Sequence, residues 1–225
     1  MTDLFTAAEI PLNSGPDWSA ELAMQKRAGT GFVIGVDEVG RGPLSGPVVA
    51  AAVILDPQSI PSGLNDSKKL TAKKRDYLYD LLLDSVVDYS VAEVSVEVID
   101  EINILQASML AMRKAVDPLS EKAIGVLVDG NKNPGFNPAL PTETLVKGDG
   151  RSLSIAAASI LAKVYRDRLM QDLAKDYPGY GWETNAGYGS QKHRDALRTL
   201  GVTPHHRKSF SPVSELLASS PQTSP

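Results

Sequence analysis

Two apolar runs stand out near the start of the chain, Phe32 to Val39 (FVIGVDEV) and Val48 to Leu55 (VVAAAVIL). β-Branched residues dominate both and Gly/Pro turns bracket them, which predicts strands. Their link, GRGPLSGP, is too short and too proline-rich for a helix, so the two should pair antiparallel. Tyr89 to Val94 reads as a third strand, and Ile124 to Val128 as a buried one that ends at Asp129-Gly130. Val96 to Val116 has helical spacing through Ile99, Ile102 or Asn103, Gln106, Met109 or Leu110 and Arg113. Residues 131–147 form a Pro/Asn-rich connection with a short strand over Glu143 to Val146. The clearest helix runs from Ser154 to Lys175, and its small residues Ala156, Ala157, Ala158 and Ser159 would let it lie close against a sheet. A Gly/Tyr/Pro loop (YPGYGWETNAGYGS) then leads to a basic helix at about residues 191–200. The order predicts an α/β fold, a mixed β-sheet flanked by helices with a helical C-terminal extension. The divisions are a leader and short helix (Trp18 to Arg27) over 1–30, a core over 31–176, the extension over 177–210, and a Ser/Pro-rich tail over 211–225 that should fray.

Composition narrows the classes. The chain has 225 residues, 42% hydrophobic and 22% charged, the balance of an ordinary folded protein. Its longest apolar stretch, Val48 to Leu55, is far short of the roughly 18 residues needed to cross a bilayer. Residues 1–20 carry acids and prolines rather than a basic start and an apolar run, so a cytoplasmic protein without a membrane partner is expected. The absence of cysteine excludes disulfides, thiolate metal sites and cysteine nucleophiles. The net charge of −4 hides a segregation. Residues 80–101 hold seven acids and no base, whereas residues 66–76 hold five bases against two acids. Residues 186–210 hold five bases, one acid and all three histidines. Basic patches on an acidic body suit a protein that grips a polyanion at one place, although solvated helix faces give the same pattern.

The carboxylates carry more information. Asp37 and Glu38 end one apolar strand and Asp129 ends another, so all three should meet at one sheet edge, where open α/β folds bind ligands. Successive strand side chains point oppositely, so Asp37 and Glu38 share a site only if the strand bends, and Gly40 and Gly42 would allow that. Ala156, Ile160, Lys163 and Asp167 step along one helix face, which would aim Asp167 at the same edge. Four converging acids repel one another unless divalent cations neutralise them, and carboxylates suit Mg²⁺ or Mn²⁺. Taken singly, each acid reads first as a solvated or turn-capping residue. Gly40-Arg41-Gly42-Pro43-Leu44-Ser45-Gly46 lacks both the spacing and the following helix of a dinucleotide-binding turn, and no P-loop occurs.

Other candidates sit in loops. Lys68 and Lys147 could contact phosphates, and Tyr188, between two glycines, should expose its ring for stacking. The block His205-His206-Arg207-Lys208 reads as a phosphate grip or, less well, a zinc ligand pair, and His193 as a helix surface residue.

Together, GVDEVGRGPLSGPVVAAAVIL, NDSKKL, VIDEINILQASMLAMRKAV, VDGN, VKGDG, SIAAASILAKVYRDRLM, GYGS and HHRKSF resemble the bacterial ribonuclease HII family, from about Gly35 to Phe210. The resemblance implies a ribonuclease H-like catalytic core over 31–176, with 177–210 a substrate-binding extension. It implies a metal-dependent endoribonuclease that cuts on the 5′ side of ribonucleotides embedded in duplex DNA, and the RNA strand of RNA–DNA hybrids. The products would carry a 3′-hydroxyl and a 5′-phosphate. It assigns two Mg²⁺ or Mn²⁺ ions to Asp37, Glu38, Asp129 and Asp167, ribose recognition to the backbone of Gly40, Arg41 and Gly42, and sugar stacking to Tyr188. A monomer is expected. Gly40-Arg41-Gly42, and the short segment before the first strand, favour this family over the sister ribonuclease HIII as the expectation. Ala186 and Ser190 depart from the family's usual Lys and Thr around the tyrosine, which leaves one phosphate contact missing or supplied by Lys192. On the residues alone, a DNA resolvase on the same fold and a silent nucleic-acid binder remain open.

Overall fold

The computed structural model describes residues 15–219. Residues 1–14 and 220–225, with most of the leader and the end of the tail, lie outside the described residues. Five strands form one mixed sheet in the order β3-β2-β1-β4-β5, with β1 Phe32–Val39, β2 Val48–Ile54, β3 Asp88–Val94, β4 Ala123–Asp129 and β5 Thr142–Leu145. β1 pairs antiparallel with β2 and parallel with β4, as the short turn and the long crossover require. β5 continues the parallel side and β3 closes the antiparallel side.

Alternation along the strands divides the core in two. Ile34, Val36, Ala50, Ala52, Val126 and Val128 face α3 (Val96–Val116). Val49, Ala51 and Val53 face α2 (Ala72–Ser85) and α4 (Leu153–Asp176). Close approach of α4 depends on small residues. A Cβ at Gly35 would stand 2.2 Å from the backbone carbon of Ser154, so β1 and α4 can meet only because position 35 is glycine. The helix α1 (Ser19–Ala28) joins the core through Met24, which packs with Val33, Leu127, Leu145 and Ile155.

Several elements differ from expectation. The segment 72–85, split between a basic and an acidic run, forms the helix α2, capped by Thr71 and anchored through buried Leu78 and Leu82. α3 breaks at Asn103 (φ 66°), whose side chain accepts from the amides of Leu105 and Gln106 and so caps the second half. Instead of fraying from 211, the chain forms α7 (Val213–Ser219), because Val213 is buried beside Leu44, Met170 and Trp182. That satellite cluster also takes in α5 (Trp182–Asn185) and α6 (Gln191–Leu200), so the C-terminal extension is fastened to the far end of α4. No helix among the described residues is long and apolar enough to cross a membrane.

Candidate active site

Asp37 and Asp129 lie side by side by register: the parallel ladder of β1 and β4 ends at Val36 opposite Val128. Beyond that pair the two strands stop hydrogen bonding and a gap opens between their ends. Glu38 reaches this gap without a bend. β1 stays paired with β2 through Val39, so the expected kink is absent, and the acids meet because the ladder on the other side has ended. Asp37 is on the α4 face, where the Ser159 hydroxyl hydrogen-bonds its carboxylate and is itself bonded to Ser67 at 2.9 Å. Asp129 Oδ1 accepts from the Gly148 amide at 2.7 Å, and Glu38 sits 3.4 Å from the exposed Arg41 guanidinium.

The fourth acid at this edge is Asp149, not Asp167. Chain leaving β5 turns at Lys147, which is left-handed (φ 56°), into a 3-10 turn over Gly148–Gly150 that buries the Asp149 side chain. Burial pushes the Asp149 carboxyl up to about 6, helped by the charges of Asp129 and Asp66. Burial likewise holds Asp37 well above the carboxylate range, with Glu38, Asp129 and Asp149 all adding to the shift. Glu38 is raised too, by burial first and by Asp129 against the relief given by Arg41. Asp167, expected at this edge, stands elsewhere. Ser159 is the α4 residue that meets Asp37, and eight further residues carry the helix about 12 Å on and turn it by about 80°. There Asp167 pairs with Lys163 at 2.7 Å and faces Arg75 at 4.0 Å, lining a cavity of about 250 Å³ between α2 and α4. The helical spacing missed both the distance along α4 and the face that Ser159 presents to Asp37. Asp149 could have been found in VKGDG, where an acid flanked by glycines follows a lysine and a short strand.

Lys68 belongs to the acid cluster. Burial draws its ammonium down, but Asp37, Asp149, Asp66 and Asp129 together outweigh that and hold its pKa above the ordinary value. Lys147 is exposed at the rim. Among the described residues no three acids or histidines are drawn tightly enough to hold a metal ion as they stand. The acids form an open cluster of hard oxygen donors, mutually repelling and short of positive charge. That chemistry fits a hard divalent cation such as Mg²⁺ or Mn²⁺ and fits soft metals poorly.

Beside the cluster lies a second construction. Gly40 (φ 95°) turns the chain out of β1 in the left-handed region that favours glycine, and a Cβ there would strike the Arg166 side chain at 2.3 Å. A Cβ on Gly42 would rest 3.4 Å from the Tyr188 ring, so the Gly40-Arg41-Gly42 turn and Tyr188 adjoin. Tyr188 is 47% exposed, as its flanking glycines suggested. Neither His193 nor His206 is a surface residue or an evident zinc ligand. Both are fully buried, 3.0 Å apart Nε2 to Nε2. His193 lies on the inward face of α6 with Ala196 and Leu197, a spacing its charged neighbours concealed. Arg207, expected as a phosphate grip, is also buried and donates to main-chain carbonyls.

Comparison with known proteins gives this edge a context. The sequence model of the family described as Ribonuclease HII matches residues 34–213. Ribonuclease HII of Ruegeria pomeroyi is 58% identical over 202 residues, covering 90% of this chain and 85% of that protein. The Paracoccus denitrificans protein of that name is 59% identical over 202 residues, covering 90% and 95%. The crystal structure of ribonuclease H2 from Pyrococcus horikoshii superposes with a TM-score of 0.69 at 29% identity, covering 82% of this chain and 96% of that one.

Proposed function

Because the chain belongs to the ribonuclease HII family, whose enzymes are metal-dependent endoribonucleases, we propose that it cuts duplex DNA on the 5′ side of embedded ribonucleotides. The RNA strand of RNA–DNA hybrids would be a second substrate. The observation that carries the reading is the convergence of Asp37, Glu38, Asp129 and Asp149 at one sheet edge, with Asp37 and Asp149 buried and driven upward first by that burial and then by the neighbouring acids. These four would hold the divalent cations. When bound, a pair of such ions activates water and stabilises the departing 3′ oxygen of the phosphodiester. The chain's own groups set the stage for that chemistry. Ser159 and the Gly148 amide orient Asp37 and Asp129, and Arg41 restrains Glu38. Lys68 places a cation where a phosphate would approach the acids.

Selectivity would come from the neighbouring turn. Gly42 is exposed and carries no side chain, so main-chain groups of the Gly40–Gly42 turn could approach a ribose 2′-hydroxyl, the group that separates RNA from DNA, while Gly40 itself packs against Arg166. Tyr188 stands against Gly42 with half its surface exposed, suitably placed to stack on the adjoining sugar. Lys147 at the rim would contact a phosphate, and Asp167, held by Lys163 and Arg75, would take no part in holding cations.

The test is cleavage of a DNA duplex that carries one ribonucleotide, with Mg²⁺, Mn²⁺ or EDTA, beside an all-DNA duplex. A cation-dependent cut 5′ of the ribonucleotide, leaving 3′-hydroxyl and 5′-phosphate ends, is the expected result. Cleavage of hybrids alone would sink the assignment of single-ribonucleotide specificity.

A further inference from the structure

Three separated segments meet behind the recognition turn: residues 40–47, 186–190 and 203–207. Main-chain bonds join them, with Leu44 N donating to the Gly187 carbonyl, Arg207 N to the Leu44 carbonyl and Gly46 N to the His205 carbonyl. Two fully buried guanidiniums then fill most of their donor capacity on carbonyls of these segments. Arg166 donates to Pro47 at 3.0 Å, to Ser45 at 3.0 Å and to Ala186 at 2.9 Å. Arg207 donates to Gly40 at 2.5 Å, Arg41 at 3.0 Å and Gly46 at 2.8 and 3.0 Å. Among the described residues, the hydrogen bonds of both go to backbone carbonyls and none to a carboxylate. Burying a guanidinium is costly, and one that spends its donors on carbonyls is matched to backbone geometry; Arg207 also lies 5.0 Å over the Phe210 ring.

The histidines complete the frame, and their hydrogen bonds settle both tautomers. His193 Nδ1 lies 2.9 Å from the Tyr188 carbonyl, which can only accept, so Nδ1 carries the proton. Its Nε2 therefore accepts, and Trp182 Nε1 donates to it at 3.1 Å. His206 Nδ1 accepts from the Thr203 amide at 2.9 Å, which leaves His206 Nε2 as the donor to His193. The chain of bonds thus runs from the 203–207 segment through two neutral rings to the main chain of Tyr188.

We infer that Arg166, His193 and Arg207 are positioning residues for ribose recognition, which fasten the backbone of Gly40–Gly42 and of Gly187–Tyr188 into one rigid frame. The inference rests on the reading that Tyr188 and the glycine turn contact the ribose. Among the described residues none of the three hydrogen-bonds to the acid cluster, so they act on where the sugar sits and leave cation binding alone.

The experiment is a double-mutant cycle between His193 and Tyr188, read as kcat and KM on a duplex with a single ribonucleotide. His193→Gln puts an acceptor where Nε2 was but loses the donor to the Tyr188 carbonyl. His193→Asn keeps that donor and loses the acceptor. His193→Gln should raise KM about tenfold, the order expected for one lost positioning hydrogen bond, with kcat changed far less. His193→Asn should recover most of the loss. In a Tyr188→Ala background His193→Gln should add less than about twofold, since it acts through Tyr188. Binding of Mn²⁺ alone, followed by titration calorimetry, should be the same in all. Arg166→Lys repeats the cycle from the other side of the Tyr188 segment, because a lysine keeps the charge but cannot span three carbonyls, and it serves if His193→Gln does not fold. Effects that multiply in the double variant, or equal damage from Asn and Gln, would overturn the inference. A Tyr188→Ala enzyme with unchanged KM and kcat would instead overturn the reading of Tyr188 itself.

Discussion

Replacing Asp149 by asparagine should stabilise the cation-free protein while destroying its activity. The Asp149 carboxyl is raised from 3.8 to about 6 by burial and by the charges of Asp129 and Asp66. That gap corresponds to roughly 3 kcal/mol, at about 1.4 kcal/mol per tenfold change in proton affinity. Water reaches the open cluster, so screening reduces the recoverable part to about 1–2 kcal/mol. An acid with a raised folded pKa costs nothing below its unfolded value, and its penalty grows as pH rises through the folded one. The wild type therefore carries the full penalty at pH 7.5 and little of it near pH 4. In EDTA at pH 7.5, Asp149→Asn should melt about 3–6 °C above wild type, and the two should converge near pH 4. Added Mg²⁺ or Mn²⁺ should raise the wild-type midpoint but barely move the variant, whose turnover should fall at least about 100-fold. Asp167→Asn is the control: it loses an ion pair worth under about 1 kcal/mol and should keep both its cation response and its activity. An Asp149→Asn protein less stable than wild type in EDTA would refute the electrostatic account. Loss of the cation response in Asp167→Asn would refute the assignment of the site.

Tyr188→Ala should lower cleavage at a lone ribonucleotide about tenfold or more, as expected for a lost stacking contact, and leave Mn²⁺ affinity unchanged; parallel losses in both would remove its sugar-contacting role. Burial, then the neighbouring His193, pulls His206 from 6.5 down to about 4, so its contribution to stability is whole above 6.5 and is lost as pH falls to about 4. That loss is worth at most about 3 kcal/mol, and His206→Gln, compared by urea denaturation at pH 4 and pH 7, should show a correspondingly shallower decline than wild type. Gly35→Ala should cost about 3 kcal/mol or more, because the added carbon meets the α4 backbone at 2.2 Å; a midpoint within 2 °C of wild type would show that the sheet and helix can part there.

The strands were legible in the sequence because β-branched runs bounded by glycine and proline have few other ways to fold, and the antiparallel β1–β2 pair followed from an eight-residue link that cannot hold a helix. Chemistry was less legible where it depended on distance. Asp37, Glu38 and Asp129 were found because a strand end is a position in space, fixed once the strands are paired. Asp167 was misplaced because helical periodicity relates residues within one helix and leaves open both which side of α4 meets β1 and where along the axis it does so. Asp149 escaped because Gly148-Asp149-Gly150 looks like an ordinary turn until β5 brings it beside Asp129. α2 was hidden by reading its charges as two blocks, although Leu78 and Leu82 are spaced for one buried face. His193 and Arg207 misled for a related reason: polar residues among charged neighbours look exposed, and only tertiary structure supplies the carbonyls that let them be buried.

These two kinds of buried charge explain each other. On one side of Gly40, acids crowd together with too little positive charge, a condition that favours cations and disfavours an anionic substrate. On the other, Arg166 and Arg207 are buried and hold carbonyls, so burial draws them to about 10 and about 9, and both stay charged at neutral pH. The chain could have paired these groups across the turn and relieved both strains. Keeping them apart leaves the acids to seek an external cation and leaves positive charge beneath the turn where a sugar-phosphate chain would lie. The order of segments enforces the separation: β1 delivers Asp37 and Glu38, Gly40 reverses the chain, and Arg166 on α4 passes under the turn while Ser159, two helical turns earlier, meets Asp37. One strand, one turn and one helix thus place a cation-seeking cluster and a rigid, carbonyl-bound turn side by side, the arrangement that the proposed hydrolysis of a phosphodiester beside a recognised sugar would use.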